Sequence, residues 1–148
     1  TFGSQYNQRT IFPDSLTHLI FGDDYNQRTI LPNSVTHLTF GDCYDQLTDI
    51  PSSITHLKFG SLYNKPTIFP DSLVELTFGT FYNQQTTHLP NSLTHLTFGC
   101  WYNQLTTHLP NSITHLTFDE EYNQPITIPN SVTHLIFGDS YNQPTTIS

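Results

Sequence analysis

Basic side chains are nearly missing from this chain: Arg9, Arg28, Lys58 and Lys65 stand against 12 carboxylates, for a formal charge of −8. Without a cationic stripe to neutralise phosphates, nucleic acids and anionic membranes are poor candidates as partners. Long apolar runs are missing too: nothing approaches the ~18 residues that cross a bilayer, and no charged-then-apolar leader suggests secretion. Cysteine is limited to Cys43 and Cys100. Unpaired thiols favour a reducing compartment such as the cytoplasm.

What is present is repetition. Tyrosines stand at Tyr6, Tyr25, Tyr44, Tyr63, Tyr82, Tyr102, Tyr122 and Tyr141, a period of 19 or 20 residues. A fixed short period with apolar residues in constant places predicts a solenoid, read as one repeat array over residues 1–148. Neither end carries a capping unit, so the array is expected to be part of a longer one. Cys43 and Cys100 fall in coils three apart, about 14 Å at ~4.8 Å per coil, too far for a disulfide.

Within one unit, Thr17 to Phe21 alternates as a strand does, with Leu19 and Phe21 on one face. The Leu19 slot is leucine and the Phe21 slot phenylalanine in every later coil, to Leu135 and Phe137. The Leu16 slot holds only Leu, Ile or Val, and an apolar residue precedes each repeat proline, from Phe12 to Ile128. These four columns are the expected core. Too few residues, several of them Thr or Pro, separate each Tyr from the next Pro to form a helix, so the return path is expected to be extended or polyproline-like. Gly22 and its equivalents are expected to take a positive φ, with Asp119 as the tolerated exception. The fold class is therefore all-β: a parallel β-solenoid of about seven 19–20-residue coils.

The string Asn-Ser-Val-Thr-His-Leu-Ile-Phe-Gly-Asp-Ser-Tyr-Asn-Gln-Pro (Asn130 to Pro144) resembles the FNIP repeat family, and the resemblance runs the length of the chain. It implies a right-handed parallel β-solenoid of the compact leucine-rich-repeat type, in a family often joined to an F-box, where the repeats would select proteins for ubiquitin ligation. No F-box segment is present in these residues. The resemblance also suggests an asparagine ladder from Asn7 to Asn142, broken by Asp45.

Function must then lie in columns. Alternation turns His18, His37, His56, Glu75, His95, His115 and His134 outward as one ladder on the sheet face. Imidazole rows can bind metals, but zinc wants converging ligands, and stacked solvated residues are the simpler reading. His88 and His108 form a second such pair. Ser15 and its six equivalents follow a Pro-x turn; a column of seven is no catalytic nucleophile, and turn capping is its expected role. The acidic groups around Asp23 and Asp119 lack a calcium-loop motif. The threonine columns suggest ice binding only distantly, because histidine interrupts the array. No catalytic residues, metal or cofactor are expected.

The repeat breaks its own rule just before the tyrosines. That slot is charged or polar at both ends but reads Cys43, Leu62, Phe81 and Trp101 in consecutive coils. If exposed, it is a hydrophobic ridge of the kind that holds a protein partner. The leading expectation is a non-enzymatic scaffold for protein–protein interaction; the alternative is a structural fibre built by end-to-end stacking.

Overall fold

The computed structural model describes residues 1–148 and contains strands and turns only. Strands β1 (His18–Ile20), β2 (His37–Thr39), β3 (His56–Lys58), β4 (Glu75–Thr77), β5 (His95–Thr97), β6 (His115–Thr117) and β8 (His134–Ile136) form one parallel sheet in chain order. Register is strict, His18 opposite His37 and Leu19 opposite Leu38, and so on to His134 and Leu135. The repeat fixes it, since a slip of one residue would turn every leucine to solvent. On the return side the chain is irregular except in the last two coils, where β7 (Ile126–Ile128) pairs in parallel with β9 (Thr145–Ile147).

Two β-turns bend each coil. Leu16 N–H donates to Pro13 O at 3.1 Å, closing the Pro-x-Ser corner, and Tyr25 N–H donates to Gly22 O at 3.1 Å, closing the Gly-x-x-Tyr corner. Serine serves the stack rather than capping its own turn: Ser34 Oγ donates to Leu16 O of the preceding coil at 2.6 Å, and Ser53 repeats this with Val35 O. The glycine expectation is corrected. No residue has a positive φ. Glycine is required by close approach: a Cβ on Gly41 would lie 2.0 Å from Gly22 O, and one on Gly60 as close to Gly41 O. Where Asp119 stands in this column, the next glycine is less crowded, its notional Cβ 2.6 Å from the Asp119 carbonyl.

The four expected apolar columns line the interior, with the residue before proline the least covered: Leu31, Phe69 and Ile128 are buried, while Phe12, Ile50, Leu89 and Leu109 only pack against the core. A fifth column fills the centre. Tyr25, Tyr44, Tyr63, Tyr82, Tyr102 and Tyr122 are each at most 1% exposed. Each ring stacks on the phenylalanine four residues earlier, 4.1 Å away for Phe21 and Tyr25 and 3.8 Å for Phe98 and Tyr102. Burying one such ring contributes roughly 1.5–3 kcal/mol. Several phenols keep a polar outlet in the threonine four residues on, at 2.6 Å for Tyr63 and Thr67 and 3.0 Å for Tyr102 and Thr106, whereas the Tyr25 and Tyr122 hydroxyls are buried without a partner. Burial pushes the Tyr44 phenol up to about 12.

Equivalent rings of successive coils stack on one another both outside and inside the solenoid. Stacked imidazoles on the outer sheet face are 4.2 Å apart for His18 and His37, and again for His115 and His134. Inside, Phe21 and Phe40 are 5.5 Å apart, and Tyr25 and Tyr44 6.2 Å.

Candidate functional site

The imidazole ladder forms as two stacks. His18, His37 and His56 lie ring on ring, as do His95, His115 and His134, with neighbouring centroids 4.2 Å apart in each stack. Glu75 separates them, its carboxylate 3.9 Å from His56 Nε2. Local hydrogen bonds orient the rings. Thr36 Oγ1 donates to Thr17 O at 3.2 Å and also lies 2.9 Å from His37 Nδ1. A hydroxyl has one proton, so it donates to the carbonyl or to Nδ1, and the contact with Nδ1 fixes the ring's orientation in either tautomer. Parallel rings hold their nitrogens side by side rather than converging on one metal. In the middle of each stack the pKa is lowered: for His37 and His115 the first cause is desolvation, the second repulsion from the flanking imidazoles.

The serine column is committed elsewhere, since Ser34, Ser53, Ser72, Ser92, Ser112 and Ser131 all donate to a carbonyl of the coil before. His88 and His108 line a shallow return-side depression with Asp71. The asparagines form an inter-coil ladder on the flank, where Asn7 Oδ1 accepts Asn26 N–H and Gln27 Nε2–H, both at 3.0 Å. Cys43 and Cys100 are both unpaired thiols.

The variable slot before the tyrosines lies at the turn that leaves the sheet. Backbone bonds hold it in line: Leu62 N–H donates to Asp42 O at 2.9 Å, Phe81 N–H to Ser61 O at 3.0 Å, and Trp101 N–H to Thr80 O at 2.9 Å. Cys43 is half-buried, while Leu62, Phe81 and Trp101 are 47%, 45% and 52% exposed. The Phe81 and Trp101 rings stack with centroids 6.4 Å apart and planes at 20°. A second apolar surface was not read from the sequence. Ile11, Ile30 and Ile68 are more than 90% exposed on the return side, the first two beside Arg9 and Arg28. The signal was there in the column before each pre-proline residue, which mixes Ile with Asp49 and His88 as a solvated slot does.

Matches to the FNIP Repeat model tile the chain, at residues 6–43, 25–62, 44–81, 63–101, 82–120, 102–128 and 122–148. The chain belongs to the FNIP repeat family. Among solved structures, this FNIP array is similar to CroV588, described as a novel circular LRR protein structure, at 42% identity and a TM-score of 0.89. The match covers all of this chain and 26% of CroV588, so the FNIP array spans about a quarter of that protein. No curated protein matches the sequence.

Proposed function

We propose that this FNIP array is a non-enzymatic scaffold that holds another protein on the ridge of Leu62, Phe81 and Trp101. The observation that carries the reading is the stacked, half-exposed Phe81–Trp101 pair at 6.4 Å, fixed on rigid turns. Large, half-exposed aromatics that lose little entropy on binding are typical binding anchors. The commitment of the serine hydroxyls to carbonyls and the side-by-side imidazoles support a role without chemistry.

A second reading is self-association along the solenoid axis, which would continue the coil-on-coil register that runs from β1 to β8. The similarity to a circular repeat protein supports the chain as one arc of a longer array.

Photo-crosslinking separates the two. A benzophenone side chain would be placed at Phe81 on the ridge or at Thr97 on the sheet face, and the products identified by mass spectrometry. A defined partner captured from position 81 and not from 97 is the expected result. Capture from 97 alone moves the site to the sheet, and links only between copies favour self-association.

A further inference from the structure

The charges of the chain are sorted by face. On the flank that carries the ridge, Asp23, Asp24 and Asp42 lie at one end and Asp119, Glu120 and Glu121 at the other, with Asp139 one coil beyond. That is more than half of the 12 carboxylates. None of them has a cationic partner, because the only ion pairs join Glu75 to His56 and Asp45 to Lys65. Three of the four basic side chains are elsewhere, Arg9 and Arg28 on the return side and Lys65 on the asparagine flank, while Lys58, at the end of β3, lines a groove with Asp23, Asp42 and Asp119.

Two of these acids are held toward the turns they border. Asp42 Oδ1 accepts Ser61 N–H at 3.1 Å and Ser61 Oγ–H at 2.8 Å, and Glu120 Oε2 accepts the Cys100 thiol at 3.4 Å. In the ridge column itself the order is Asp24, Cys43, Leu62, Phe81, Trp101, Glu121: acid, four apolar residues, acid. With seven carboxylates against the single cation Lys58, the flank repels acidic surfaces and attracts basic ones, most strongly at the two acidic ends of the apolar run.

We infer that the ridge accepts an extended segment with an apolar centre and Lys or Arg at both ends. This rests on the ridge being the binding surface and adds the partner's chemistry. From Asp24 to Glu121 is five coil steps, about 24 Å at ~4.8 Å each, the reach of about seven residues of extended chain. The apolar centre covers Leu62, Phe81 and Trp101, and the basic ends meet the carboxylates.

The test is selection from a random nine-residue display library against the folded chain, with Trp101→Ser as the counter-selection. Trp101 is half-exposed, so its loss leaves the core untouched, and circular dichroism verifies the fold. The expected result is that binders lost on Trp101→Ser carry Lys or Arg at both ends of an apolar core. They weaken at least tenfold on raising salt from low to physiological levels, and at least tenfold again on Asp119→Asn/Glu120→Gln/Glu121→Gln. Ridge-dependent binders with neutral or acidic ends would overturn the charge inference and leave the ridge reading standing. Absence of any ridge-dependent binder would overturn both.

Discussion

The Lys65 ammonium lies 2.8 Å from Asp45 Oδ2, at the one coil junction where two columns change together. Everywhere else the first column is asparagine and the second glutamine, as in Asn26 Oδ1 accepting Gln46 Nε2–H at 2.9 Å. An amide pair has been replaced by an ion pair in the same place.

The exchange should be reversible. Both side chains are more than a third exposed, at 36% and 38%, so solvent screening limits the coupling between Asp45 and Lys65 to about 0.5 kcal/mol. A double-mutant cycle by denaturant unfolding should find that value, falling with salt. The double variant Asp45→Asn/Lys65→Gln should be at least as stable as the parent, because it also relieves the buried and unpaired Asp45 Oδ1. A double variant less stable than both singles would contradict the column pairing.

Gly41→Ala should be far more costly than an ordinary turn substitution. Its Cβ would meet backbone, Gly22 O at 2.0 Å, which cannot swing aside as a side chain can. The expected loss is about 3 kcal/mol, the upper range for overpacking. Thermal unfolding reads it, and a change near zero would show that the coils separate more easily than described.

Hydroxyl removal should have opposite results in two coils. Tyr63→Phe breaks the 2.6 Å bond to Thr67 and should cost about 1 kcal/mol. Tyr25→Phe removes a buried hydroxyl that has no partner and should be neutral or stabilising. Equal losses at the two positions would overturn the assignment.

The imidazole stacks should titrate unevenly. His37 is held below its ordinary 6.5 by desolvation first and by His56 and His18 next, while Glu75 opposes the shift. A depressed histidine favours the neutral form in the fold, so its contribution to stability is complete above pH 6.5 and falls as pH drops toward the folded value. NMR titration should place His37 below that value, and Glu75→Gln should lower it further. An upward move in that variant would contradict the proximity of the carboxylate.

The columns made the fold readable. Leu19 and Phe21 alternate within a strand, and the strict repeat of Leu-x-Phe identified sheet, register and inner face together. The tyrosines escaped as core because Tyr25 lies beyond the strand, across a turn, where alternation says nothing; only the stacked contact with Phe21 shows its place. Gly22 suggested a left-handed residue because one coil seen alone does not contain the neighbouring carbonyl that excludes a Cβ. The serines were legible as backbone partners, but the bond from Ser34 crosses to the coil before, a distance no local pattern encodes. The ridge residues were visible as departures from the repeat, whereas their exposure and the stacking of Phe81 on Trp101 required coordinates.

Trp101 is the chain's single tryptophan, so its fluorescence reports on the ridge alone. The most direct measurement is its emission and its quenching by acrylamide across a wide range of protein concentration, with light scattering on the same samples. The account predicts a 16.9 kDa monomer whose indole emits as a solvent-exposed one and stays accessible to quencher throughout. An indole shielded from quencher in the monomer, or shielded in step with growing mass, would contradict a ridge left open for a different protein.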